Sequence, residues 1–224
     1  ATNALTISPS SVLPTITNTV TIDGTTQPGF AGAPIIELNG TAAGAGSDGL
    51  RVSASRCIIR GLVINRFPGN GINLLAGAQN RIEGCYIGLN RQGTLDQGNS
   101  LSGINVQCAQ NIIGGTNTAT RNYISGNNSS GIQMSGITTT NNQVIGNVIG
   151  LAVNGSDQGN SASGVSIASS GNIIGGTSVN ARNIISGNDQ DGVNINGGVN
   201  NQIQGNYIGR DVAGAIARGN GSNG

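Results

Sequence analysis

The residues best suited to chemistry are two aspartates, Asp189 and Asp191, in the stretch GNDQDG. Two carboxyl groups held about 5 to 10 Å apart can hydrolyse a glycosidic bond, one as acid and the other as base or nucleophile. An earlier copy of the same stretch has Asn128 and Ser130 at these positions, and Asp is common in turns. The two aspartates are therefore a candidate catalytic pair, although an ordinary turn is the favoured interpretation.

A second acidic candidate is Glu83, which we expect to lie near Arg60 and Arg66 in the folded chain. This group could mimic the active site of a lyase, although solvated ion pairs at the surface are the favoured interpretation. The chain has no His, which excludes a Cys/His zinc site and a Cys/His nucleophile pair. We therefore lean toward a protein that is not an enzyme.

Three further aspartates, Asp96, Asp157 and Asp211, lie in long loops that return at one corner of a repeating pattern. Carboxylates and backbone carbonyls are the ligands that Ca²⁺ prefers, so these residues are the candidate metal ligands. Their recurrence instead favours a feature of the repeat, and the Gly-Gly-x-Gly-x-Asp nonapeptide of calcium-binding β-rolls is absent. We expect no cofactor, with calcium as the alternative.

Three tyrosines form the candidate contact surface: Tyr86, Tyr123 and Tyr207. Each precedes an Ile that we place in the core, as do Val63, Val148 and Ile184 in the other units. Side chains alternate across a strand, so these six residues are predicted to point outward in one column. Such a ribbon is suited to binding a sugar chain or another molecule, although simple β propensity also explains it.

The elements that position these residues follow from a repeat. RNYISGNNSSGIQM begins at Arg121 and RNIISGNDQDGVNI begins at Arg182, 61 residues later. A Gly-apolar-x-apolar pattern divides the chain further into units of 22 to 33 residues, which are too short to be domains; it begins at Gly49, Gly71, Gly103, Gly131, Gly164 and Gly192. Each unit contains three short alternating stretches bounded by Gly or Asn, which predicts three strands per unit and an all-β parallel β-helix of about seven coils.

Stacking the units places like residues in columns. One inward column is Leu50, Ile72, Ile104, Ile132, Val165 and Val193, and another is Ile64, Ile87, Ile124, Ile149, Ile185 and Ile208. Two asparagine ladders are predicted at turns: Asn80, Asn111, Asn142, Asn172 and Asn201 in one, and Asn122, Asn147, Asn183 and Asn206 in the other. Cys57 stands at the head of the first ladder and Cys85 interrupts the second, on different corners where they cannot form a disulfide.

The composition excludes several classes of function. Only 8% of the residues are charged and 2% are aromatic, while Gly contributes 39 residues. The ten basic residues are all Arg and form no cluster, which argues against nucleic acid as a partner. The apolar runs are far shorter than the roughly 20 residues that cross a bilayer, so no membrane insertion is expected.

Several stretches resemble a known family. TIDGTTQPGFAGAPIIELNG, GNVIGLAVNGSDQGN, NIIGGTSVNARNIISGN and GNYIGRD are similar to the right-handed parallel β-helix repeats of exported bacterial surface proteins, in the pectate-lyase-like superfamily. The resemblance implies a right-handed coil and one domain over residues 1–224. That domain has an N-terminal coil or cap at about 1–48 and regular coils at 49–224, which we expect to continue beyond Gly224.

The sequence therefore favours a non-catalytic structural and adhesion scaffold at the cell surface or outside the cell. Unpaired strands at the ends of the stack favour association of the chain with itself, end to end or laterally, into filaments or a surface layer. The alternatives are a polysaccharide lyase or hydrolase and a glycan-binding module. The expected partners are a second copy of the chain or a cell-surface polysaccharide.

Overall fold

The computed structural model describes residues 5–224, and its strands, numbered β1–β21 in chain order, form three parallel sheets. Sheet A contains β1 (Leu5–Ile7), β3 (Ile36–Asn39), β6 (Leu62–Asn65), β9 (Tyr86–Ile87), β12 (Tyr123–Ile124), β15 (Val148–Ile149), β18 (Ile184–Ile185) and β21 (Tyr207–Ile208). Sheet B contains β4 (Leu50–Val52), β7 (Ile72–Leu74), β10 (Ile104–Val106), β13 (Ile132–Ser135), β16 (Val165–Ala168) and β19 (Val193–Ile195). Sheet C contains β2 (Thr21–Asp23), β5 (Ile58–Arg60), β8 (Arg81–Glu83), β11 (Ile112–Gly114), β14 (Gln143–Ile145), β17 (Ile173–Gly175) and β20 (Gln202–Gln204).

The chain visits sheets C, A and B in turn and then begins the next coil, so each strand pairs with its counterpart one coil away. The fold is a parallel β-helix, which confirms the predicted all-β solenoid with three short strands per coil. A single coil cannot bury its apolar side, because that side is covered only by the coils above and below.

The register confirms both predicted aliphatic columns. Ile104 pairs with Ile72 on one side and with Ile132 on the other. In sheet A, Ile124 pairs with Ile87 and Ile149. The side chains of these columns are buried in one continuous core that runs through the stack, except Val193 and Ile208, which are half-buried and pack against it. Among the described residues of this core, Phe67 provides the one aromatic ring.

The first 40 described residues already belong to the stack. β1 pairs with β3, and β2 pairs with β5. The third position of this coil is occupied by a bridge between Ile16 and Val52 in place of a full strand. The segment predicted as an N-terminal coil or cap is thus a coil whose sheet-B side is reduced to one pair.

Most of the extra length lies at two corners, and the long loops expected around Asp96, Asp157 and Asp211 are at one of them. Loops at residues 89–98, 151–159 and 210–219 connect sheet A to sheet B in alternate coils, and we call them the corner loops. Between sheets C and A lie three 3₁₀ turns, at Gly24–Thr26, Thr118–Thr120 and Val179–Ala181. Among residues 5–224, no helix has the length and hydrophobicity required to cross a bilayer.

Candidate functional sites

The two predicted asparagine ladders are present. At the head of the first, the Cys57 backbone N–H donates to Asn80 Oδ1 at 2.8 Å, and the Asn80 N–H donates to Asn111 Oδ1 at 3.0 Å. The second begins in the same way, with Cys85 N–H donating to Asn122 Oδ1 at 2.9 Å. From Asn111 and Asn122 onward, each side-chain oxygen accepts from the preceding coil and each side-chain nitrogen before the last member of the ladder donates to the following one, which satisfies polar groups that would otherwise be costly to bury. Asn80 is the exception, because its buried Nδ2 has no partner among the described residues.

A third ladder was not predicted. It starts at Phe67 and continues through Asn99, Asn127, Asn160, Asn188 and Asn220. Asn99, Asn160 and Asn220 follow the corner loops, whereas Asn127 and Asn188 follow sheet A directly, and this alternation hides the spacing. The signal was nevertheless available, because each member except Phe67 follows a Gly and the Gly-Asn pairs recur at the intervals of the coils.

The three cysteines are buried and free, as expected for residues that occupy the interior of the stack. Burial raises the pKa of the Cys85 thiol to about 12, and it also raises the pKa of Cys108. A thiolate is the reactive form of cysteine, so burial keeps these two side chains unreactive.

The two residues of the candidate catalytic pair, Asp189 and Asp191, have different surroundings. Asp191 Oδ2 accepts from Asn194 Nδ2 at 2.7 Å, and its Oδ1 accepts from the backbone and side-chain nitrogens of Asn223, both at 3.1 Å. These hydrogen bonds lower the pKa of Asp191. Near the other end of the stack, Asp48 accepts equivalent hydrogen bonds from the backbone and side chain of Asn70, and its Oδ2 accepts from Asn73 of the next coil. Asp191 thus has a structural counterpart, whereas the exposed Asp189 carboxylate accepts no hydrogen bond from the described residues.

The candidate metal ligands lie at one corner but not at one position. Asp96 and Asp157 are equivalent, since each forms the closing bridge of its corner loop, with Leu89 and Leu151 respectively. Asp211 occupies a different position, where its Oδ1 accepts from the backbone N–H groups of residues 215 and 216 and organises the loop. Within residues 5–224, no three His, Cys, Asp or Glu side chains come together in a way that could hold a metal ion.

The tyrosine column exists, but it is not an open ribbon. Tyr86 pairs in register with Val63 and Tyr123, as predicted. Tyr86 is nevertheless only 8% exposed, and Val63 is fully buried. The column lies on the outer side of sheet A, as expected, but its side chains at these positions are not accessible because the corner loops fold back over them.

Small hydrophobic clusters form beneath the corner loops. Leu89 packs with Val63 and Tyr86, and Leu151 packs with Val148 and Ile184. Successive loops also contact each other, since the Val153 N–H donates to Gly93 O at 2.8 Å. The edges of Tyr123 and Tyr207 remain partly accessible, and the guanidinium of Arg182 lies 3.9 Å from the centre of the Tyr207 ring.

The structure separates the residues of the candidate lyase site. Arg66 lies beyond β6 in sheet A, where its guanidinium is 4.0 Å from Glu37, so the expectation that it lies near Glu83 is wrong. Glu83 is in sheet C, where it forms an ion pair with Arg81. Arg60, whose Nη2 donates to Asp23, lies beside Glu83 in the same register.

Asp23, Arg60, Arg81 and Glu83 form a four-residue group on the outer face of sheet C, which we call the charged cluster. Asp23, Arg60 and Glu83 occupy one position in three successive coils. The hydrogen bond from Arg60 is the main reason why the pKa of Asp23 is lowered to about 2. The carboxylate of Asp23 therefore stays charged at all but strongly acidic pH.

A notch lies over the charged cluster, with a volume of about 240 Å³. Arg60 and Glu83 line it together with Thr25, Phe30, Gly32, Ala119 and Thr120. No protein-family profile matches the chain, and no curated protein is similar to it in sequence.

Proposed function

We propose that the protein is a non-catalytic structural and adhesion scaffold that acts outside the cell or on the cell surface. The observation that carries this proposal is the use of polar side chains: three ladders of buried asparagines run along the stack. Asparagine side chains that are hydrogen-bonded between coils hold the coils in register and add rigidity. An amide group provides no acid, base or nucleophile for catalysis.

The positions of the carboxylates also support a structural role. Asp191 accepts hydrogen bonds from Asn194 and from Asn223 of the next coil, and Asp211 accepts them from backbone amides of its own loop; these bonds lower the pKa of both carboxylates. A general acid or base functions best when its pKa is near the working pH. Carboxylates with lowered pKa values are poor candidates for that work at neutral pH.

The resemblance to bacterial exported repeats supports the location and a place in the pectate-lyase-like superfamily, with a right-handed coil. As partners we propose a second copy of the chain or a cell-surface polysaccharide. The ten arginines are scattered, and five of them form ion pairs, so nucleic acid is not among the proposed partners.

Association with a second copy is supported by the two ends of the described stack. At the first end, edge strand β1 exposes Leu5 and Ile7, which are 51% and 53% accessible. At the other end, Ile195 of β19 is 51% accessible. Unpaired strand edges with apolar side chains are templates for pairing with another chain.

Sedimentation of the 224-residue chain over a wide concentration range tests the association. We expect the mass to rise with concentration for the wild type and the Ile7→Lys variant to remain monomeric, because a lysine on an edge strand opposes pairing. Ile137→Lys is the matched control, since Ile137 is 98% accessible and lies between β13 and β14, away from both ends. A wild type that stays monomeric throughout would show that self-association is wrong.

A separate assay tests the absence of catalysis. The chain is incubated with acidic and neutral polysaccharides, and new reducing or unsaturated ends are measured. We expect none. Turnover that disappears in the Asp189→Asn, Asp191→Asn double variant would overturn the proposal in favour of a polysaccharide-active enzyme.

A further inference from the structure

The charged cluster is unusual in a chain that has so few charges. The sequence contains ten basic and nine acidic residues, and four of them meet on the outer face of three adjacent strands, β2, β5 and β8. Equivalent positions in later coils are uncharged: Arg60 and Glu83 are followed in register by Gly114 and Ile145. The cluster is therefore a local feature and not a property of the repeat.

The notch over this cluster results from the spacing of the 3₁₀ turns. Two coils with short glycine turns, at Gly61 and Gly84, separate the first 3₁₀ turn from the second. The two 3₁₀ turns form the walls of the notch and pack directly against these glycines. A Cβ on Gly61 would lie 2.6 Å from Thr25 Cγ2, and a Cβ on Gly84 would lie 2.6 Å from Ala119 O. The two walls and the floor are thus held at fixed positions.

No such opening is expected between the second and third 3₁₀ turns. Only one short coil, with its turn at Gly146, separates them. Arg121 extends across to this turn, where its Nε donates to Gly146 O at 3.2 Å. The first interval is wider by one coil, about 4.8 Å.

The floor of the notch has unused hydrogen-bonding groups. Glu83 is only 7% exposed, and Arg81 engages only its Oε1, so its Oε2 accepts from no described residue. Arg60 uses Nη2 for Asp23, while its buried Nε has no partner and its Nη1 donates to no described residue. A buried carboxylate that is only partly hydrogen-bonded is costly, and a ligand that donates to Glu83 Oε2 recovers part of that cost. The side chain of Arg60 is 42% exposed, so its free Nη1 is accessible to a ligand.

The chemistry of the notch points to an uncharged ligand with neighbouring hydroxyl groups. Two carboxylates and two guanidiniums balance, so the cluster has no net charge with which to select an ion. A hydroxyl both donates and accepts, so adjacent hydroxyls can donate to Glu83 Oε2 and accept from Arg60. The half-buried ring of Phe30 on one wall supplies an apolar surface for the C–H face of a ring.

We infer that this notch binds one ring of a neutral saccharide, held between Glu83 and Arg60 and packed against Phe30. Its volume of about 240 Å³ is below the roughly 300–1,000 Å³ typical of sites for drug-sized ligands, which fits a single ring. The site rests on the proposed adhesion to a cell-surface polysaccharide and specifies where one of its rings binds, and it does not depend on whether the chain associates with itself.

Binding is tested with the whole chain by calorimetry and saturation-transfer NMR. The probes are the methyl glycosides of glucose, galactose, mannose and N-acetylglucosamine, with galacturonic acid as the charged comparison. We expect at least one neutral glycoside to bind and galacturonic acid to bind more weakly. The inference is wrong if no neutral glycoside binds, or if galacturonic acid binds better than all of them.

Variants locate the site. Glu83→Gln and Phe30→Ala should each weaken binding about tenfold, because one removes the charged acceptor and the other the apolar wall. Ala119→Trp should abolish binding by filling the notch while leaving the floor intact. The matched control is Asn180→Trp, at the equivalent position of the third 3₁₀ turn, which should bind like the wild type.

Thermal unfolding of each variant separates a lost site from a lost fold. If Ala119→Trp unfolds like the wild type and still binds, the ligand does not occupy the notch and the inference fails. Reducing ends are measured in the same samples, so that turnover, which would contradict the scaffold, is distinguished from absent binding, which would contradict only the notch.

Discussion

At the scale of single residues, two side chains of the same type can have different roles, and only the folded structure distinguishes them. Asp189 and Asp191 are two residues apart, yet one carboxylate is exposed and the other is held by three hydrogen bonds. The sequence could identify both as turn residues, because an earlier copy has Asn and Ser there. It could not identify the contact with Asn223, which belongs to the next coil.

The ion pair of Asp23 and Arg60 should make stability depend on acid. The pKa of Asp23 is about 2 in the folded chain, below the ordinary value of 3.8 for an aspartate. A lowered folded pKa means that the contribution is fully present above about pH 4 and is lost as the pH falls toward 2. We expect the midpoint of thermal unfolding to fall over this range and to fall less steeply in Asp23→Asn.

Asp189→Asn is the matched control for that experiment. The exposed carboxylate of Asp189 accepts no hydrogen bond from the described residues. The unfolding midpoint of this variant should therefore fall with pH as steeply as that of the wild type. Equal slopes in Asp23→Asn and the wild type would show that the ion pair does not stabilise the fold.

At the scale of elements, regular strands and ladders were predictable and the path of the loops was not. Alternation along each strand fixed which side chains point inward, and the recurrence of Asn fixed two of the three ladders. Whether a corner loop extends into solvent or folds back depends on contacts such as that between Val153 and Gly93, which join loops two coils apart. For this reason the burial of Tyr86 could not be read from local sequence.

The ladders should contribute strongly to stability. Asn147 is fully buried; its Nδ2 donates to Asn183 Oδ1 and to Ile113 O, and its Oδ1 accepts from Asn122 Nδ2. Asn147→Ala leaves these partners unsatisfied, so we expect the free energy of unfolding to fall by about 2–4 kcal/mol.

Urea titration measures this change, with Asn180→Ala as the control. Asn180 is exposed, and its side chain makes no hydrogen bond to the described residues, so its effect should stay within about 0.5 kcal/mol. Similar losses in the two variants would show that the ladders are not a main source of stability.

At the scale of the whole molecule, each coil is stabilised only by its neighbours, so stability should vary along the stack. Equivalent hydrogen bonds allow a direct comparison: Ile112 N–H donates to Asn80 O at 2.9 Å, and Gln202 N–H donates to Asn172 O at 2.8 Å. β11 lies between two strands, whereas β20 is the last strand of sheet C. We expect the amide of Gln202 to exchange with deuterium well before that of Ile112.

Hydrogen exchange under native conditions, followed by NMR, checks this order. The same protection at both amides would mean that the described stack opens as a single cooperative unit. The expected gradient would instead support coils that separate progressively from an end.

The single direction of the three ladders has an electrical consequence. Every ladder oxygen accepts from the coil before it, so the side-chain carbonyls of Asn80, Asn99 and Asn122 and their successors all face the first coil. Backbone dipoles along a strand largely cancel, but these side-chain dipoles add. The three ladders are thus polarised along the stack, with their negative ends toward β1 and their positive ends toward β21, so the ladder dipoles of two such molecules lying side by side attract when the molecules have opposite orientations.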